Sequence, residues 1–327
     1  MKVLRNSKIT PIIGLVIGAV IGFICFRLTG VNAGNLEPSA PPNSTMKTLD
    51  EVEPRIPIPA SQSSADTFEI TQSGSYYLEG NRNCSETGIS ISASDVTIDL
   101  CGYSLVGTDS GIYNGISITS GSNIEIKNGT IRDFGSIGIY STNSNIKNIR
   151  MIVLRVLSNG GGISVSGVGG IVKDCTVSEN AGNGISTQHG YIVSGCVVRQ
   201  NGGIGINASH GNTVIDNTVY YNTGTGIKTG NACVISRNTV LDNSGNYGID
   251  AGTACTITHN NQHNSQSGYR ADPGSTVIGN VANANERYGF YIYSSLVDQN
   301  TAYDNNQVGG YANMYASSCT LGTNHAP

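Results

Sequence analysis

Asparagine recurs at positions 159, 180, 201, 222, 243, 264, 285 and 306, every step being 21 residues. A second series keeps nearly the same pitch. Glycine followed by an aliphatic or aromatic residue begins at Gly88, Gly115, Gly138, Gly162, Gly184, Gly205, Gly226, Gly248, Gly268, Gly289 and Gly310. A period of about 20 to 50 residues is the mark of stacked repeats that share one continuous core. Within a period the pattern resolves into three short alternating runs, for example Gly226–Thr229, Cys233–Ser236 and Asn238–Leu241, separated by Gly or Asn. Such runs leave no room for a crossover helix, so they can pair in parallel only if each turn of chain stacks on the previous one.

The expected fold is therefore all-β, a parallel β-helix (solenoid) of about eleven turns counted from Gly88. Stacking places equivalent residues of successive turns above one another. Asn222, Asn243 and Asn264 should then form one axial column whose amides bond along the coil and satisfy turn backbone. A second set, Asn217, Asn238, Asn260, Asn280 and Asn300, continues the position held by Cys175 and Cys196. Cys233 and Cys255 form a further stacked pair. These thiols read as small core residues, with disulfides as the alternative. Tyr269, Phe290 and Tyr311 occupy the inward position after glycine and should fill the core.

The other regions follow from composition. Lys2, Arg5 and Lys8 precede an apolar run from Ile9 to Phe26, and Val31-Asn32-Ala33 offers a cleavage site. Residues 1–33 are thus a signal peptide or an uncleaved signal-anchor helix, since the run nearly spans a bilayer. Residues 34–65 carry Pro38, Pro41, Pro42, Pro54, Pro57 and Pro59 without an apolar period, which predicts a disordered linker. Residues 66–87 form a lead-in or cap, and 88–327 the coil. Localisation is accordingly outside the cytoplasm: secreted, at the cell surface, periplasmic, or anchored in the membrane by residues 9–26. Only 12% of residues are charged and the formal net charge is -4, so there is no basic field for nucleic acid.

Repeats such as "NGISITSGSNIEIKNGTIRDFGSIGI" and "GIKTGNACVISRNTVLDNSGNYGI", with the lead-in "FEITQSGSYYLEGN", resemble the right-handed parallel β-helix proteins of the pectate-lyase-like superfamily. That resemblance implies a polysaccharide or cell-surface glycan as partner. It includes lyases, uronate epimerases, polygalacturonases and phage tailspikes, and it implies glycan binding along one face of the coil. The Asp-Pro-His-Asp signature of alginate epimerases is not matched, because Asp272-Pro273 is followed by Gly274-Ser275. The paired-Asp and Arg-x-Lys motifs of polygalacturonases have no match either.

In a Gly-Ile-x-Thr strand the x residue points outward. Read turn by turn, that column is Ser164, Ser186, Asn207, Lys228, Asp250, Arg270 and Tyr291; two residues along lie Asp272 and Tyr293. Lys228, Asp250, Arg270 and Tyr291 are the candidate catalytic residues. A lyase acting on a uronate must neutralise the carboxylate, remove a proton and assist the leaving oxygen, tasks suited to Lys228 or Arg270 and to Tyr291. Asp250 and Asp272 are placed either to share Ca²⁺ as the one candidate cofactor, or to serve as an acid–base pair. Asn207, Asp272, Tyr293 and Tyr247 are the candidate substrate contacts, the tyrosines supplying sugar-stacking faces. The same charges also fit an ordinary cross-strand ladder. His189 and His210, 21 apart and each followed by Gly, read as stacked corner residues.

Two functions remain open on this pattern. One is an exported, noncatalytic β-helix that binds glycan or serves at the cell surface. The other is a polysaccharide lyase or related carbohydrate-active enzyme, a uronate epimerase or glycoside hydrolase, acting on an acidic polysaccharide.

Overall fold

The computed structural model describes residues 55–327. The expected leader (1–33) and the first part of the expected linker (34–54) lie outside the described residues. Residues 55–327 wind into a parallel β-solenoid of about 13 turns, with no helix among them. Every strand pairs in parallel with its counterpart one turn away, giving three sheets that we call A, B and C.

Sheet A runs from Phe68–Ile70 to Met314–Ser317, sheet B from Arg55–Ile58 to Thr320–Leu321, and sheet C from Ser61–Ala65 to Thr301–Tyr303. The two turns beyond the expected eleven lie before Gly88. Arg55–Ile58 pairs with Gly74–Leu78, and Ser61–Ala65 pairs with Arg82–Cys84. Residues 55–65 are therefore coil instead of linker, and the expected cap at 66–87 is itself a regular turn. Proline hid this level from sequence: Pro57 sits in the first strand of its sheet, where a missing N–H is tolerated.

Alternation buries one side of each strand. Ile163, Ile185, Ile206, Ile227, Ile249, Tyr269, Phe290 and Met314 face one another in register across sheet A. Tyr269 and Phe290 are fully buried and their rings stack at 4.7 Å. Met314, not Tyr311, continues the column. Gly310, at φ 83°, belongs to a longer loop before the last strand, and Tyr311 is left half-buried outside.

Corner ladders hold the turns together. Asn159, Asn180, Asn201, Asn222 and Asn243 form one column in which each Oδ1 after that of Asn159 accepts from the backbone N–H of the asparagine one turn earlier, at 3.0 to 3.1 Å, and that of Asn159 accepts from Phe134 N–H at 3.0 Å. Each Nδ2 except that of Asn243 also donates to the next amide, at 2.9 to 3.1 Å. Asn264 does not join this column. That turn is one residue longer, Leu241 facing His263, so Ser265 takes the ladder level. Asn264 instead bonds Asp242 on the surface at 2.7 Å. The column resumes at Asn285 and passes to Asn305, while Asn306 caps the backbone N–H of Tyr311.

The second ladder matches the expectation, running from Cys196 through Asn217, Asn238, Asn260, Asn280 and Asn300 to Asn324. A third passes from Asn212 through Cys233, Cys255 and Ser275 to Ser295. Thiols thus stand in for asparagine as weaker acceptors at these corners. The seven cysteines of residues 55–327 are all free. Residues preceding the ladder positions adopt left-handed backbone, among them Tyr221, Ala232 and Arg237 at φ 54° to 55°.

Candidate functional site

The outward column of sheet A is in register: Ser164, Ser186, Asn207, Lys228, Asp250, Arg270, Tyr291 and Tyr315 face one another turn by turn. Five of the eight candidates, Asn207, Lys228, Asp250, Arg270 and Tyr291, therefore lie in this column, while Asp272 and Tyr293 lie two residues further along and Tyr247 at the start of the Asp250 strand. The chemistry changes along this strip. Over the middle turns a groove of about 320 Å³ is lined by Ser164, Ser186, Gln188, Asn207, His210 and Lys228, with no carboxylate among its lining residues. His210 is fixed there: its Nδ1 accepts the Asn231 backbone N–H at 2.8 Å, and its ring stacks on His189 at 5.5 Å, as the 21-residue spacing of the two predicts.

Past Lys228 the strip becomes ionic. Arg270 donates through Nη1 to Asp250 at 3.1 Å and through Nη2 to Asp272 at 2.9 Å. Its Cζ lies 5.9 Å from the centre of the Tyr247 ring. Asp250 is the most buried member, its side chain 12% exposed. Burial pushes its carboxyl above the usual range, against the opposing pull of Arg270 and Lys228. Burial likewise raises the Tyr247 phenol, while the charges of Arg270 and Arg287 act to lower it.

This geometry bears on the calcium reading. The Arg270 guanidinium occupies the space between the two carboxylates and takes one oxygen of each, so Asp250 and Asp272 do not form an open oxygen cage. Among the described residues no group of three His, Cys, Asp or Glu side chains could hold a metal ion. The groove and the ionic group share only Lys228, and the groove carries no carboxylate of its own.

The strip ends in tyrosines. The Tyr293 hydroxyl bonds that of Tyr291, which raises the Tyr293 phenol to about 12 and keeps it protonated. Tyr291 packs against Tyr288 at 4.9 Å and Tyr315 at 5.1 Å. Two neighbours escaped sequence reasoning. Tyr315 was hidden because the Gly310 step misplaced the last turn. Arg287 was hidden because it lies in a corner, outside the strand alternation used to find outward residues.

A family model described as "Right handed beta helix region" matches residues 62–213 and 142–268, together more than half of the chain. A search of curated proteins gives no match. Among solved structures, the Dettilon tailspike protein gp208 aligns with a TM-score of 0.50 at 13% identity, over 80% of this chain. The chain spans 61% of that tailspike's length. The A-module of mannuronan C-5 epimerase AlgE4 from Azotobacter vinelandii aligns with a TM-score of 0.50 at 9% identity, over 84% of this chain and 88% of the module. At such identities the likeness is one of fold. With the parallel coil and its family match, the chain belongs to the right-handed β-helix family.

Proposed function

We propose that this protein is an exported β-helix that holds an extended polysaccharide against sheet A without cleaving it. One observation carries the reading. Both Nη groups of Arg270 are engaged by Asp250 and Asp272, so the guanidinium and the two carboxylates of the strip are tied to one another. A lyase would need, besides a cation, a free base for the proton beside the sugar carboxylate, and both carboxylates of the strip are held by Arg270. The remaining strip, with Ser164, Ser186, Asn207 and Gln188 leading toward Tyr247 and Tyr291, suits hydroxyl recognition and ring stacking. The similar fold of a mannuronan epimerase module supports a polysaccharide as the ligand class. Export rests on the leader pattern of residues 1–33, by cleavage or by retention as a membrane anchor.

The enzymatic reading has one feature in its favour. Asp250 has a raised carboxyl pKa and lies beside Lys228 in register, a pairing that active sites use to tune an acid or base. The two readings part in a single assay: the full chain is incubated with polygalacturonate, alginate and chondroitin, with and without Ca²⁺. Retention on polysaccharide gels without unsaturated or shortened product is expected. Turnover that vanishes in both Lys228→Ala and Arg270→Ala would make this an enzyme.

A further inference from the structure

Around Tyr247 lie two guanidinium groups in opposite situations. Arg270 is clamped by two carboxylates, whereas Arg287 has no carboxylate within ion-pair distance among the described residues. The Arg287 Cζ instead sits 5.5 Å from the centre of the Tyr311 ring. Its backbone is held on both sides, its N–H donating to Gln266 O at 2.8 Å and its carbonyl accepting from Asn306 at 2.8 Å. The half-buried side chain lines a pocket of about 280 Å³ together with Tyr247, Tyr288, Tyr291, Asn246 and Gln266.

The composition of this pocket is specific. Three phenol rings offer apolar faces to a ring-shaped ligand, two side-chain amides offer donors and acceptors for hydroxyls, and one planar cation is available for an anion. The volume is at the lower edge of small-molecule clefts, which run from about 300 Å³ upward, so it suits one ring and not a stretch of chain. A guanidinium with no carboxylate partner is free to meet an incoming anion, and carboxylate and sulfate groups match its fork.

We infer that this corner pocket, which borrows Tyr247 and Tyr291 from the strip but adds Arg287, Tyr288, Asn246 and Gln266, binds one sugar unit bearing an anionic group, with Arg287 as the selecting residue. It rests on the glycan reading above and makes that reading specific: the groove accepts the polymer, and Arg287 decides which polymers are retained. The anionic group is a uronate carboxylate or an ester sulfate.

The test is calorimetric titration of the full chain with three matched oligosaccharides: a uronate oligomer, its carboxyl-reduced form, and a sulfated neutral oligomer. Arg287→Gln should weaken the preferred acidic oligomer roughly 10-fold to 100-fold, as loss of a charge-assisted contact does, and leave the carboxyl-reduced oligomer unchanged. Arg287→Lys should retain part of the affinity, and thermal melts of both variants should match the parent protein. Comparing the uronate with the sulfated oligomer identifies the anion. Equal affinity of the parent protein for charged and reduced oligomers would overturn the inference while leaving glycan binding intact. So would loss through Lys228→Ala but not through Arg287→Gln. No binding of any oligomer or parent polysaccharide would overturn both.

Discussion

The turns from Gly184 to Asn243 and the turns from Gly248 to Tyr315 share one coil but obey it differently. In the first set a Cβ added at Gly184, Gly205 or Gly226 would meet a valine Cγ1 at 2.5 Å and a ladder asparagine Nδ2 at 2.9 Å, three times over. At Gly248 the neighbour is Gln262, whose Cγ would lie 2.4 Å away. Gln262 stands fully buried in the column where other turns place Val240 and Ala282. Its amide exchanges hydrogen bonds with Asn285, at 2.7 and 2.8 Å. It thereby bridges the level at which Ser265 is too short to continue the asparagine column. The turn that carries this internal repair also carries Asp250 outside. Monotonous turns serve the coil, and the irregular turn is where the outward column, from Ser164 onward, acquires its first carboxylate.

The largest expected effects come from exchanging the two kinds of turn. Asn222 is fully buried and accepts from Asn201 while donating to Val198 O and to Asn243. Asn222→Ala orphans several of those groups at once and should cost about 3 kcal/mol or more in urea unfolding. The irregular turn should respond in the other direction. Ser265→Asn with Gln262→Val rebuilds the regular ladder, supplies a partner near the unsatisfied Ser265 hydroxyl's position, and should gain about 1 kcal/mol. A double variant less stable than the parent would show that the interruption is itself the better solution there.

A smaller effect separates the groove from the ionic turn by pH. Asp250 has a folded pKa above its unfolded value because burial outweighs Arg270 and Lys228. Its ionisation is therefore easier in the unfolded chain. The group is neutral toward stability below the ordinary carboxylate pKa and opposes folding once pH exceeds the raised folded value. Asp250→Asn should remove that slope, with a change within about 1 kcal/mol at neutral pH and none at low pH. The same comparison with Asn207→Ala, in the groove, should be flat with pH. A stability loss for Asp250→Asn that grows from low to neutral pH would mean that Arg270 outweighs burial.

These contrasts also mark how far the sequence could be read. The strip from Ser164 to Tyr291 was legible because strand alternation and a fixed period together assign side and level. The ladders from Asn159 to Asn243 and from Asn217 to Asn300 were legible for the same reason. Reading failed where one residue was inserted. The extra residue before Ser265 pushed Asn264 to the surface, and the longer loop before Met314 displaced Tyr311 and hid Tyr315. It failed again at the first turns, where Pro57 and Pro59 resembled a linker. Electrostatic detail was never accessible. Alternation placed Asp250, Arg270 and Asp272 on one face, but only side-chain torsions decide that the arginine lies between the carboxylates.

The smallest expected effect tests whether corners of the regular turns carry strain that the coil tolerates. At one corner Gly211 and Gly274 have φ of 66° and 78°, while Ala232 and Ala254 hold the same left-handed backbone at 55°. An alanine there costs about 1 kcal/mol or slightly more in the folded state, because its Cβ crowds the following carbonyl. Ala232→Gly relieves that strain but adds unfolded-chain entropy of about 0.4 to 1 kcal/mol, leaving a net gain of a few tenths of a kcal/mol. Gly211→Ala is the reciprocal probe, since a Cβ at Gly211 would have no atom within 4 Å. Any loss it causes is conformational and not steric, and it should mirror the gain at Ala232. If both substitutions destabilise, the corner geometry of the two turns differs despite the shared dihedral, and the equivalence of successive turns would hold for the ladders but not for the backbone between them.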